Sequence, residues 1–280
     1  MDIKFTKMQA YGNDYVYVNA IDQKIDNPNE LARKVSDRHF GIGSDGLVLI
    51  CESARCDFRM RMFNPDGSEG EMCGNALRSL SKFVYYHHLT DKTHLTIETL
   101  GGDQVVDLFV ENGEVVNISA CIGKPVLESA RIPVATDEPR FIDKEVKILD
   151  KTFRMSSVSW GNPHTVVFVD DTDSFEVEKY GPAIEHYTDL FPKKTNVSFI
   201  QILDRNRIKM REWERGTGET IGCGTGCCSS AVIANILGLT DREVTVEQIG
   251  GPLKVLWDEE GKVHMTGPSY VVYEGVYYDK

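Results

Sequence analysis

Two short segments of the 280-residue chain carry the residues best able to do chemistry: Met72-Cys73-Gly74-Asn75 and Gly222-Cys223-Gly224-Thr225. Each cysteine precedes a glycine and then a helix-like run. The first turn of a helix presents unsatisfied backbone N–H groups and the positive end of the macrodipole. A thiol there is expected to have its pKa lowered from the free value of about 8.5. The same N–H groups suit a carboxylate, and glycine lets a ligand approach the backbone closely. Two such segments facing each other would put a thiol on either side of one bound carboxylate compound. A thiolate on one face would remove the proton α to the carboxylate. A thiol on the other would return one, inverting the stereocentre. The helix ends would stabilise the developing charge, in a site that excludes water. The scheme requires no pyridoxal phosphate, and oxidant would be expected to link the two thiols.

The elements that must position these cysteines are written twice. Tyr11-Gly12-Asn13-Asp14-Tyr15 matches Trp160-Gly161-Asn162-Pro163-His164 at an offset of 149, and the cysteine segments match at 150. Thr96–Gly102 matches Thr245–Gly251 at 149, and Gly113-Glu114-Val115 matches Gly261-Lys262-Val263 at 148. Four matches in one order at nearly constant spacing indicate two domains of like fold. The boundary is expected near residues 119–125, giving 1–119 plus 266–280 as one domain and 120–265 as the other.

Most of each half reads as short strands, β-branched or aromatic and bounded by Gly, Asp and Asn. The first half gives 3–8, 15–18, 47–50, 58–63, 95–98, 105–110 and 115–118. The second gives 156–159, 165–169, 197–203, 208–213, 244–247 and 253–257. After Cys73, the residues Ala76, Leu77, Leu80, Phe83 and Val84 recur at helical spacing. After Cys223, residues 229–237 are apolar nearly all round, the mark of a helix buried on every side. A further helix is expected near 28–38, with Pro28 in its first turn. The fold class is therefore α/β (α+β): two pseudo-symmetric domains, each a curved, mostly antiparallel sheet or barrel around a central helix.

Composition limits the partners. The 43 acidic residues exceed the 31 basic ones, for a formal charge of −12. Such a chain is a poor ligand for nucleic acid or an anionic membrane surface, and no run approaches the ~20 apolar residues of a membrane span. The N-terminus lacks the regions of a signal peptide. Seven cysteines, an odd count, argue against a disulfide framework. The expectation is a cytoplasmic protein with free thiols and a small-molecule substrate. Symmetry statistics favour a homodimer if the chain assembles.

Other features have plainer readings. Cys227 and Cys228 lie one turn into the buried helix, with no second Cys or His pair at finger spacing, so no metal site is expected. Cys51, Cys56 and Cys121 carry no motif. His87-His88 read as a cap on a helix C-terminus. Glu69 and Glu219, each four residues before its cysteine, read as caps of the turns leading into the helices.

Lys7-Met8-Gln9-Ala10-Tyr11-Gly12-Asn13-Asp14-Tyr15, Phe63-Asn64-Pro65-Asp66-Gly67-Ser68-Glu69, Gly161-Asn162-Pro163-His164 and Glu214-Arg215-Gly216-Thr217-Gly218-Glu219-Thr220, together with both cysteine segments, resemble the diaminopimelate epimerase family. The resemblance runs from Lys4 to Gly275. It implies two pseudo-symmetric α/β domains with the site in the cleft between them, and neither cofactor nor metal. It implies that Cys73 and Cys223 are the catalytic pair, with His164 and Glu214 assisting proton handling. The backbone of Gly74, Asn75, Gly224 and Thr225 would cradle the reacting α-carboxylate. Asn13, Asn64, Asn162, Asn196, Glu214 and Arg215 would hold the substrate, chiefly its non-reacting amino-acid end. The implied reaction converts LL-2,6-diaminopimelate to the meso form, in lysine and peptidoglycan precursor synthesis.

The sequence departs from the family pattern at Ala76-Leu77, where glycine usually comes first, and at Tyr11, Gly46 and Trp213. These positions bear on substrate choice. One rival keeps the two-thiol chemistry on another amino acid, such as histidine. Another is a non-catalytic thiol-redox or binding protein on the same fold, which would need the cysteines but not the distal carboxylate clamp.

Overall fold

The repeated strand pattern emerges as repeated topology in the computed structural model, which describes residues 2–279. In chain order its elements are β1 (Asp2–Ala10), β2 (Asn13–Asn19), α1 (Pro28–Ser36), β3 (Leu47–Cys51), β4 (Phe58–Phe63), β5 (Glu69–Gly70), α2 (Gly74–Tyr86), β6 (His94–Thr99), β7 (Gly102–Glu111) and β8 (Glu114–Gly123). Then follow β9 (Lys144–Ile148), β10 (Lys151–Ser159), β11 (Pro163–Phe168), α3 (Val177–Glu185), β12 (Asn196–Asp204), β13 (Arg207–Glu214), β14 (Gly218–Thr220), α4 (Gly224–Ile236), β15 (Glu243–Gln248), β16 (Gly251–Trp257), β17 (Val263–Gly267) and β18 (Tyr270–Tyr278). The chain divides into two units, Met1–Cys121 with Thr266–Lys280, and Ile122–Met265.

In the first unit β18, β1, β2, β3, β4, β6, β7 and β8 pair in that order, antiparallel except for β2–β3 and β4–β6. In the second, β9, β10, β11, β12, β13, β15 and β16 pair in order, antiparallel except for β11–β12 and β13–β15. The seven strands of the second order match the first seven of the first, with β9 standing beside β10 as β18 stands beside β1. The mixed α/β class follows, mostly strands with few helices, as open sheets rather than closed barrels.

Each sheet wraps one helix. Helix α2 packs against β1, β2, β3, β4 and β7, and α4 against β10, β11, β12, β13, β15 and β16. That explains why α4 is buried without a break from Gly226 to Ala234. The opposite faces take the shorter helices. Val16, Val18, Leu47 and Leu49 alternate outward to meet Leu31, Ala32 and Val35 of α1. Phe153, Val197 and Phe199 meet Val177, Tyr180 and Ile184 of α3 in the same way. Truncating a core ring such as Phe199 to alanine is expected to cost about 3–5 kcal/mol.

Helix α3 and strands β5, β9, β14, β17 and β18 go beyond the sequence expectations. Gly181-Pro182 reads as a helix break, yet Pro182 lies inside α3. Gly181 is required there, because a Cβ would come within 2.6 Å of the Trp213 indole.

Candidate active site

Cys73 and Cys223 occupy the same place in their units. Each is the extended N-cap residue of its central helix, with φ −135° and ψ 123° at Cys73 and φ −127° and ψ 109° at Cys223. The preceding hairpins are braced alike. Arg61 donates to Glu69 at 2.7 and 2.8 Å, and Arg211 donates to Glu219 at 2.7 and 2.9 Å, each as a bidentate pair. Glu69 and Glu219 therefore clamp the β4–β5 and β13–β14 hairpins instead of capping the helix-entry turns. A planar guanidinium two-pronged on a carboxylate fixes geometry that a single contact would leave loose.

In the first unit the Cys73 thiol donates to Asn13 Oδ1 at 3.5 Å, and Asn13 Nδ2 donates to Asp45 at 2.8 Å. Buried Asn75 accepts from Arg78 through its side-chain Oδ1 at 2.7 Å. Gly74 is buried beside it. Asn64 sits apart in the β4–β5 turn, donating to Ser68 Oγ at 3.0 Å. Burial pushes the Cys73 thiol up, against the opposing pull of the Ala76 and Asn75 N–H groups, the Arg78 charge and Tyr15.

In the second unit the Gly226 N–H donates to the Cys223 sulfur at 3.4 Å, and Thr225 Oγ1 lies 3.6 Å from it. Gln248 Oε1 accepts from the Cys223 N–H at 2.9 Å. Glu214 Oε1 accepts from Thr220 at 2.6 Å. Asn196 braces two loops, donating to Pro163 O at 2.9 Å and accepting from the Arg215 N–H at 2.9 Å. The Arg215 side chain lies outside, donating to Lys193 O at 2.9 Å. Asn162 is half-buried at the Trp160–Asn162 turn, and Gly224 and Thr225 are half-buried at the start of α4. His164 is fully buried on β11, with Nδ1 3.5 Å from Glu212 Oε1.

Both thiols run against the expectation of a lowered pKa. Burial pushes Cys223 well up, and the Glu212 and Glu214 carboxylates push it further. The helix-end N–H groups are present, but dehydration of a thiolate outweighs them. His87 is the C-cap residue of α2, as expected, but it caps through its backbone N–H and not as a cation. Its Nε2 lies 2.8 Å from Thr6 Oγ1, and burial holds it below the usual imidazole value.

The departures from the family pattern have local causes. Trp213 faces α3, donating to Glu185 at 2.8 Å, on the other side of β13 from Glu212 and Glu214. A Cβ at Gly46 would fall 2.2 Å from Phe63 O, so nothing larger fits without a backbone shift. Buried Tyr11 lies under the Arg78 guanidinium, at 5.5 Å from ring centroid to carbon.

The sequence reading missed Tyr15, Gln248 and Glu212. The signal for Glu212 is period two: Ile208, Met210, Glu212 and Glu214 share one face of β13, and the apolar pattern gives way to acid where it meets α4. Cys227 and Cys228 are buried in α4, and Cys227 donates to Gln248 at 3.4 Å.

A family model described as diaminopimelate epimerase matches residues 5–127 and 156–272. The chain is 50% identical over 274 residues to a diaminopimelate epimerase of Methanococcus maripaludis, covering 98% of this chain and 99% of that one. It is 48% identical to one from Acetivibrio thermocellus, with 98% of each covered. A PhzF-family phenazine biosynthesis protein of Bacillus anthracis shares the fold, with a TM-score of 0.74 at 21% identity over 100% of both chains. On the extent of these matches, the chain belongs to the diaminopimelate epimerase family.

Proposed function

We propose that this enzyme interconverts LL- and meso-2,6-diaminopimelate by a two-cysteine acid/base mechanism, supplying precursors of lysine and peptidoglycan in the cytoplasm. The observation that carries the reading is the matched pair of cysteines, each the N-cap of a buried central helix. One thiolate takes the α-proton, and the other thiol delivers a proton to the opposite face. The carboxylate of the carbanion is stabilised by the backbone N–H groups of Gly74 and Asn75 and of Gly224 and Thr225. The raised thiol pKa values suit this task. A thiolate held in a dry site is a stronger base than one in water, at the cost of being scarce at neutral pH.

Asn13, Asn64, Asn162, Asn196, Glu214 and Arg215 would bind the substrate, with Arg215 on the distal carboxylate and Glu214 on the distal ammonium. His164 and Glu214 would assist proton handling at the thiols. The chemistry is carried by side chains and backbone without a cofactor or metal. Assembly as a homodimer is part of the same reading. Tyr270, Val272, Tyr273, Val276 and Tyr278 leave β18 with an exposed apolar surface, and sedimentation would test it.

The test is a comparison of kcat/KM on diaminopimelate, lysine, alanine and histidine. A site built around a second zwitterionic head rejects ligands lacking it by about 10⁴-fold or more. Turnover of diaminopimelate is expected, with little on the other three, and Arg215→Ala should lose about 100-fold on diaminopimelate. Faster turnover of histidine would move the enzyme to the rival substrate class.

A further inference from the structure

Behind the first turn of α4 lies a polar cluster with no equivalent in the first unit. His164, Ser198 and Glu212 come from β11, β12 and β13, with Ser198 directly across the ladder from Glu212. His164 and Glu212 are 0% and 1% exposed. Both imidazole nitrogens, both Glu212 carboxylate oxygens and the Ser198 hydroxyl lack hydrogen-bond partners among the described residues. The 3.5 Å approach of His164 Nδ1 to Glu212 Oε1 is the contact that joins the pair. A buried carboxylate without hydrogen bonds is costly, and the equivalent position in the first unit, 150 residues earlier, is Met62. An apolar residue would serve packing better.

The carboxylate occupies space that the chain leaves open for it. A Cβ at Gly226 would come within 2.6 Å of Glu212 Oε2, and it is the Gly226 N–H that donates to the Cys223 sulfur. Residue 226 thus touches both the carboxylate and the thiol. Its counterpart in the first unit is Ala76.

We propose that Glu212 is a positioning residue for proton transfer at Cys223: its buried carboxylate, partnered by His164 and reaching the thiol through residue 226, keeps that thiol protonated in the free enzyme, so that Cys223 is the acid toward the stereoisomer whose proton Cys73 removes and the base in the reverse direction. The cysteine of the first unit has no such carboxylate and rests beside Asn13 instead. Among the described residues, Glu212 and Glu214 on β13 act on Cys223, His164 on β11 faces Glu212, and Cys227 on α4 donates its backbone N–H to Cys223 O. Of these, Glu212 and Glu214 disfavour the thiolate. The inference rests on the two-thiol reading above.

The experiment is substrate-free alkylation of the whole enzyme by iodoacetamide across pH, read separately at Cys73 and Cys223 by peptide mass spectrometry. In Glu212→Gln the midpoint of the Cys223 profile should fall by about one pH unit, a tenfold change in the thiolate equilibrium, while the Cys73 profile stays in place. Glu212→Met, which copies the first unit, should do the same, and an unchanged Cys73 profile reports that the fold is kept. An unmoved or rising Cys223 midpoint in both variants overturns the proposal. Because no substrate is used, a fallen midpoint upholds it even in an enzyme that fails to turn over diaminopimelate, a failure that would count against the substrate reading alone.

Discussion

The two cysteine sites share a skeleton and differ in charge. Both cysteines are the N-cap residues of a buried helix, follow an Arg–Glu-braced hairpin and sit under the same strand order, but only the Cys223 sulfur accepts a helix N–H. Around Cys73 the neighbours are an amide, a tyrosine and an arginine; around Cys223 they are two carboxylates. Backbone repetition places a thiol identically in each unit. Side chains at matched positions, Met62 against Glu212 and Tyr15 against His164, then make the two thiols unlike. The proposed two-thiol reaction draws on the likeness for its placement of one thiol on each face, and the difference sets which of them rests protonated.

The largest expected effect tests the likeness. Cys73→Ala and Cys223→Ala should each lower kcat for epimerisation by at least about 10³-fold, since each removes one acid/base group, while circular dichroism shows a folded chain. A variant with near wild-type turnover would mean that one thiol suffices.

The hairpin braces offer a smaller, graded comparison. Arg211 also donates to Thr172 O at 3.0 Å and Phe175 O at 2.9 Å, holding the loop before α3, and Arg61 has no such extra bonds among those described. Urea unfolding should show Arg211→Met costing about 2–3 kcal/mol and Arg61→Met about 1 kcal/mol. Equal losses would show that the added carbonyl bonds contribute nothing.

The smallest effects come from exchanging the helix-start residues. Gly226→Ala drives a methyl group into the Glu212 carboxylate and should cost about 1–2 kcal/mol by overpacking. Ala76→Gly should cost about 1 kcal/mol through helix propensity. A stabilised Gly226→Ala in thermal melts would mean that the carboxylate can move aside freely.

Much of this was legible in the sequence, because the repeat exposes it. Offsets of 148–150 locate equivalent turns, and the run after Cys223 announces a helix buried all round. Helix α3 is absent from the sequence expectations; it contains Gly181 and Pro182, poor helix formers, and Gly181 is accommodated there under Trp213. The cysteines and their glycines were legible because N-cap chemistry depends on adjacent residues. The upward direction of the thiol pKa is not legible locally because burial is a tertiary property: adjacent residues reveal the helix dipole and not the water removed. Glu212 was overlooked for the same reason, since its meaning depends on His164, 48 residues earlier on another strand.

The central claim, that two unlike thiols invert one α-carbon, is met most directly by LL-diaminopimelate in deuterated water. Deuterium at the α-position would be followed by proton NMR and inversion by chiral chromatography. The account predicts that the wild-type enzyme forms the meso product with one solvent deuterium at the inverted carbon, and that neither single-cysteine variant forms it. Meso product carrying deuterium at the wild-type rate from either Cys73→Ala or Cys223→Ala would contradict it.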